Sequence, residues 1–241
     1  MDAKRHQHVS GLTKASTFSQ LSAETLERLA AGTTDSAFKR GSVVFGRGAT
    51  ATGIHIVASG QLKLSLETAR GAERVVELLQ EGDSFGEAAL LTNRLHLVTA
   101  AAVTDCKLLH IARRTLIAEL DRDKELAKQI IGTLSDRLYR QTSELEYVLS
   151  LKATGRVARF IIDRLKTDGA NTSFRVALPV RKGLIASHLN MTQEHFSRTL
   201  RELTKAGLIR VNGVMVDVIE VDKLRDAAGL MLTRGHSRVA A

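Results

Sequence analysis

Residues 192–201 (TQEHFSRTLR) place Gln193, Glu194, Ser197 and Arg198 along one edge of a helix. These side chains can read base edges. An arginine can donate bidentately to guanine, and a carboxylate can accept from the cytosine amino group. Thr192 is suited to cap the helix, because its hydroxyl can accept an orphan backbone N–H. Phe196, Leu200 and Leu203 form the opposite stripe, which predicts a buried face. Upstream, residues 182–189 (KGLIASHL) make a short amphipathic segment that starts at Lys182, and Asn190 and Met191 leave only a tight connection. Two short helices so joined form a helix-turn-helix whose second helix can enter the major groove. An ordinary helical hairpin shares that pattern.

Charge separates the two readings. The chain has 35 Lys and Arg against 26 Asp and Glu, a formal charge of +9. Residues 1–110 carry 12 bases and 11 acids, residues 111–150 carry 7 and 7, and residues 151–241 carry 16 and 8, so +8 falls in the last third. That third also holds Arg198 and Arg201. A basic module suits phosphate neutralisation, which supplies most sequence-independent affinity for double-stranded DNA. The single cysteine, Cys106, excludes an intrachain disulfide and an iron–sulfur cluster held by cysteines of one chain. It reads as a small buried hydrophobe. With no apolar h-region behind its N-terminus and no run of eighteen apolar residues, the sequence predicts a cytoplasmic protein without membrane contact.

Three kinds of periodicity position these side chains. Between Phe38 and Ile111, short β-branched runs (SVVF, GIHIVASG, QLKLSLE, RVVELL, HLVTAAAV, CKLLHI) alternate with glycines, the pattern of an antiparallel sandwich or barrel. A small helix capped by Ser22 precedes them. Residues 124–151 then repeat by four and three through Ala127, Ile131, Leu134, Leu138, Gln141, Leu145 and Val148. Sustained over roughly four heptads, this predicts a coiled-coil seam and a parallel homodimer, in which Gln141 is the polar interruption that fixes register. After residues 152–155 come a helix through Val157, Phe160, Ile161 and Leu165, a strand over 174–178 ending at Pro179, and the helix-turn-helix. The Asn212-Gly213 pair between two apolar runs predicts a type I′ hairpin, which makes the module a winged helix.

The division expected is an N-terminal extension over 1–20, a sheet domain over 21–120, a dimerisation helix over 121–151, a winged helix over 152–228 and a loose tail over 229–241. In that order the parts resemble the Crp/Fnr family of bacterial transcription regulators. The most specific motifs are residues 82–88 (GDSFGEA), 151–157 (LKATGRV) and Glu194-x-x-Ser197-Arg198. The resemblance covers almost the whole chain, the extreme termini excepted. It implies an α+β fold with a cyclic-nucleotide-binding-like β jelly roll, a long dimerisation helix and a C-terminal winged helix-turn-helix. It also implies RNA polymerase as a partner, activation as the main output, and a TTGAT-N4-ATCAA type of palindrome read by Glu194, Ser197 and Arg198. His195 stands where the family has a threonine, and Gln193 stands where its cyclic-AMP-receptor branch has an arginine.

For the effector, Gly86 and Glu87 match the cassette with which cyclic-nucleotide domains hold phosphate and ribose hydroxyl. The family's Arg-Ser pair for the phosphate charge falls here at His96 and Leu97, and Arg94 and Arg74 are out-of-register cations that could stand in for it. The threonine-serine pair that meets the base corresponds to Gln141 and Thr142. A modified site for a cyclic nucleotide or cyclic dinucleotide follows. Haem is the second implied effector, with His6, His8, His55, His96 and His110 as candidate axial ligands and no haem-attachment motif.

A cyclic-nucleotide-binding regulatory module without DNA would explain the sheet domain but not the basic winged helix. No Gly-x-Ser-x-Gly, His-Glu-x-x-His or P-loop points to an enzyme, and Ser187-His188 on the scaffold helix reads as surface chemistry. The mechanism expected is a population shift: an effector between sheet domain and long helix alters the helix or its hinge near residues 151–155 and so sets the spacing of two recognition helices.

Overall fold

The computed structural model describes residues 2–68, 71–165, 167–168, 171–172, 174–178 and 180–230. It forms two compact units, Met1–Arg140 and Gln141–Ala241.

In the first unit α1 (Asp2–Lys14) and α2 (Ala23–Ala31) lead into β1 (Thr33–Phe38), β2 (Val43–Phe45), β3 (Gly53–Ser59), β4 (Leu62–Glu67), β5 (Glu73–Leu79) and β6 (Ser84–Phe85). The short α3 (Glu87–Leu91), β7 (Thr99–Ala102), β8 (Cys106–Ala112) and α4 (Arg113–Arg122) follow. The strands make two four-stranded antiparallel sheets, ordered β1-β8-β3-β6 and β2-β7-β4-β5. Successive side chains of a strand point to opposite faces. In β3 and β8 both faces are buried: Ile54, Ile56, Leu109 and Ile111 join the core with Leu29 and Leu116, whereas Val57, Cys106 and Leu108 pack with Leu62, Leu79 and Ala100 of the other sheet. Burial raises the Cys106 thiol's pKa.

Residues 1–20 are not an appendage. Leu12, Ala15 and Phe18 are fully buried in the sheet unit's core, and the His8 ring meets the Asp35 carboxylate at 3.2 Å. Apolar residues in α1 are too few to show a helical stripe, which is why sequence periodicity passed over it. Ser22 caps α2 as expected, its hydroxyl accepting from the Thr25 N–H.

The expected helix over 121–151 is divided, because α4 ends at Arg122 and α5 (Lys124–Ser150) begins after Asp123. The Asp123 carboxylate accepts from the backbone N–H of Glu125 at 2.8 Å and from the Thr25 hydroxyl at 2.5 Å, so it caps the new helix and ties it to α2. Leu126 and Ile130 enter the sheet unit's core. Part of the seam stays uncovered in a single chain: Ile131 is 63% exposed, and Leu138, Gln141 and Leu145 are exposed as well, whereas Leu134 packs on that core and Ala127 and Val148 are half-buried.

The second unit contains the end of α5, α6 (Ala153–Ile162), β9 (Thr167–Asp168), β10 (Asn171–Thr172), β11 (Arg175–Ala177), α7 (Lys182–His188), α8 (Gln193–Lys205), β12 (Ile209–Asn212), β13 (Met215–Val218) and α9 (Val221–Ala227). The strands β11-β13-β12 form an antiparallel sheet. Val157, Phe160, Ile161, Ile185, Phe196, Leu200, Leu203 and Val216 share one core, which packs α6, α7 and α8 with that sheet. This is a winged helix. Its hairpin is shifted by one residue from the expected turn: Asn212 pairs with Met215, so Gly213 and Val214 form the loop. Only Gly213 of the two has positive φ, at +62°, which excludes the type I′ geometry that needs it at both central residues. The strand expected over 174–178 is confined to β11, and Pro179 lies outside the described residues. So does the tail expectation for 231–241. Gly229 and Leu230 close the end of α9, since the Leu230 N–H donates to the Arg225 carbonyl.

Candidate nucleic-acid interface and sensor site

The Thr192 hydroxyl accepts from the His195 N–H at 3.2 Å and starts α8. Phe196, Thr199, Leu200 and Leu203 turn inward. Thr192, Gln193, Glu194, Arg198 and Arg201 are exposed, and Ser197 and Lys182 are half-buried. The seven residues named from sequence for this role thus lie on the α7–α8 pair. Among the described residues no ion pair holds Glu194 or Arg198. Arg201 folds back on its own helix, donating from Nε to the Ser197 carbonyl at 3.4 Å. The Gln193 side-chain oxygen lies over Gly183, where a methyl group would stand 2.8 Å away.

In the sheet unit, Gly86 starts α3 with φ of +99°, a conformation that L side chains avoid, and an added Cβ would also stand 3.3 Å from the Gly53 carbonyl. Glu87 is therefore delivered into the interior, 1% exposed. Its Oε2 accepts from Arg137 at 3.2 Å, while its Oε1 is buried without a partner among the described residues. Arg137 also donates to Glu77 at 3.2 Å and to the Ser84 carbonyl at 2.6 Å. Burial by itself would lower its pKa, but Glu77 and Glu87 outweigh that effect and raise it. Burial pushes the carboxyls of Glu77 and Asp83 up. A hydroxyl chain, Thr133 to Thr17 at 3.2 Å and Thr17 to Ser84 at 2.9 Å, joins the same cassette to α5 and to the segment after α1.

Arg137 was missed from sequence. The usable signal was its place one turn before Gln141, which puts it on the helix face already singled out.

His96 is buried and stacks on Phe45, ring centroids 3.7 Å apart. Beyond them Phe85, His55 and His110 continue a column of rings, with centroids 5.8 Å apart from Phe45 to Phe85, 5.1 Å from Phe85 to His55 and 4.7 Å from His55 to His110. Burial drives the His55 imidazole down to about 3, helped by His110 and His96, and burial also lowers His96 and His110. These rings are neutral near pH 7. Leu97 is 73% exposed, and Arg94 is exposed. The structure thus brings Gly86, Glu87 and His96 together, leaves Arg94 at the surface, and carries Gln141 and Thr142 exposed in the second unit. The residues fit the hydroxyl half of a cyclic nucleotide, because Glu87 Oε1 lacks a donor. They do not fit the phosphate half, because the position of the family's phosphate arginine holds the buried His96 ring stacked on Phe45, with its pKa lowered by burial.

Of the histidines considered for haem, His8 is buried against Asp35, and His55, His96 and His110 belong to the ring column, while His6 is exposed on α1. His188, expected as surface chemistry, is instead largely enclosed, with its side chain 11% exposed. It faces Phe160 edge-on, because a histidine ending α7 points back under the helix that precedes the sheet.

The description "Cyclic nucleotide-binding domain" matches residues 36–123, and "Crp-like helix-turn-helix domain" matches residues 155–227. The chain is 30% identical over 191 residues to the nitrogen fixation regulation protein FixK of Azorhizobium caulinodans, covering 78% of this chain and 76% of that one. It is 29% identical to the cyclic AMP receptor protein of Thermus thermophilus over 79% of this chain and 86% of that one. The solved structure of FixK2 from Bradyrhizobium japonicum superposes with a TM-score of 0.71 at 20% identity, covering 81% of this chain and 96% of that one, and it shares the fold. The glycine–glutamate cassette lies within the first of these family matches, and α7, α8 and the hairpin lie within the second. The chain belongs to the Crp/Fnr family of DNA-binding transcription regulators.

Proposed function

We propose that the protein works as a homodimer joined along the exposed seam of α5, and that its two α8 helices read a TTGAT-N4-ATCAA type of palindrome about 34 Å apart. Glu194, Ser197 and Arg198 meet base edges. Thr192, Gln193, Arg201 and Lys182 meet the phosphate backbone and fix register. The observation that carries this reading is that Glu194 and Arg198 are exposed, with no ion pair among the described residues, on a helix whose other face is locked in a core. A gel shift on that palindrome tests it. Wild type binds, Arg198→Ala loses about tenfold or more, and scrambling the half-site removes the difference.

The same dimer takes a small-molecule effector at the Gly86–Glu87 cassette. The Glu87 Oε1 atom asks for a hydroxyl or N–H donor, and a nucleotide sugar supplies one; the neutral ring column at His96 favours a nucleotide whose phosphate is not held by an arginine there. A cyclic dinucleotide, or a cyclic mononucleotide bound in an altered pose, meets both conditions. Titration calorimetry with the two ligand classes decides between them. Consistent with the family, RNA polymerase is the protein partner and activation the main output in the cytoplasm, checked by run-off transcription from a promoter bearing the palindrome. Among the described residues no helix is long and apolar enough to cross a membrane.

A further inference from the structure

The last turns of α5 are clasped by the winged helix through a group of side chains that DNA reading and effector binding leave unused. Glu144 and Tyr147 lie three residues apart on one face of α5. The Glu144 Oε1 atom stands 3.5 Å from Nε2 of His188, the last residue of α7. The His188 ring packs edge-on to Phe160, 6.5 Å between centroids, and its Nδ1 is buried without a partner among the described residues. On Phe160 also lies the Arg164 guanidinium, 3.6 Å from the ring centroid, with Glu144 among the carboxylates acting on it. Burial lowers the pKa of Arg164 against the opposing pull of Asp163 and Glu144. One turn along, Arg159 covers the Tyr147 ring at 4.6 Å, and Arg156 donates to the Leu151 carbonyl at 3.0 Å.

A partly buried polar contact of this kind costs desolvation, so it does more for orientation than for net stability. Its location matters. His188 closes the scaffold helix on which α8 is packed, and Glu144 belongs to the helix that carries the dimer seam. We infer that Glu144 and His188 are a positioning pair: their contact fixes the angle at which α7 and α8 leave α5, and thereby the presentation of α8 to DNA. Glu144 from α5 faces His188 across this contact, with Phe160 as the apolar wall.

The inference rests on the reading of α8 as the recognition helix. The test measures DNA affinity of the full chain by fluorescence anisotropy for wild type, Glu144→Gln, His188→Gln and the double variant. Melting temperature and solution mass are recorded for each. Each single variant should weaken binding at least about fivefold and the double variant no more than either alone, with mass unchanged. The exchanged pair, Glu144→His with His188→Glu, should recover at least half of the affinity lost in the single variants, a rescue that a mere loss of packing would not show. Additive losses, unchanged affinity, or no rescue by the exchanged pair overturn the inference. If wild type ignores the TTGAT palindrome, the site assignment has failed instead. A duplex selected from a random pool then replaces the probe, and the same comparison stands.

Discussion

A buried carboxylate oxygen without a donor carries a desolvation penalty that a ligand can relieve, and Glu87 keeps such an oxygen although its other oxygen accepts from Arg137. Replacing His96 with arginine supplies the missing cation. His96→Arg should therefore raise affinity for cyclic AMP by about tenfold, read by calorimetry, because a charge-assisted hydrogen bond contributes about 1.5 to 3 kcal/mol. The ring column makes a second prediction at this scale. In the folded protein His55 holds off its proton until about pH 3, whereas in the unfolded chain it binds one near 6.5. Acid thus favours unfolding. Stability is full above about pH 6.5 and is lost progressively as pH falls toward 3, by on the order of 4 kcal/mol in total. Urea midpoints between pH 7 and pH 4 check this, and His55→Phe, which keeps a ring in the column, should flatten the profile.

The elements show which features of the chain were open to reading. The recognition helix was legible to the residue, since cap, buried stripe and exposed edge each have a fixed spacing and Thr192, Phe196 and Arg198 satisfy all three. Thr192→Ala should cost about 1 kcal/mol of stability in thermal unfolding. By contrast β1 was invisible, because TTDSAF has a polar edge-strand pattern and takes its place only by pairing with β8. The hairpin was found but its turn was displaced by one residue, since Asn212 and Gly213 both tolerate positive φ and only the strand register chooses between turns. In α5 the heptad spacing was plain, whereas the partner of each flank was not: Leu126 and Ile130 pack at home together with Leu134 of the seam, while Ile131, Leu138 and Leu145 stay exposed. The pair Ile131→Asp and Leu145→Asp should give a monomer by light scattering and weaken binding to the palindrome by about a hundredfold or more, as both half-sites then bind independently.

For the molecule as a whole, the concentration of +8 in the last third predicts affinity for DNA that falls linearly on a log–log plot against salt. The sheet unit, nearly balanced in charge, adds little to that slope. What the sensing end lacked in the sequence was long-range: Arg137 lies 50 residues from Glu87, and no local motif announces their contact. The same chain has no tryptophan and two tyrosines, Tyr139 and Tyr147, both on α5. One is exposed close to the seam, and the other lies beneath the Arg159 guanidinium. Its ultraviolet emission is therefore a built-in optical gauge of that single helix, able to register subunit pairing and release of the arginine cover without any attached dye.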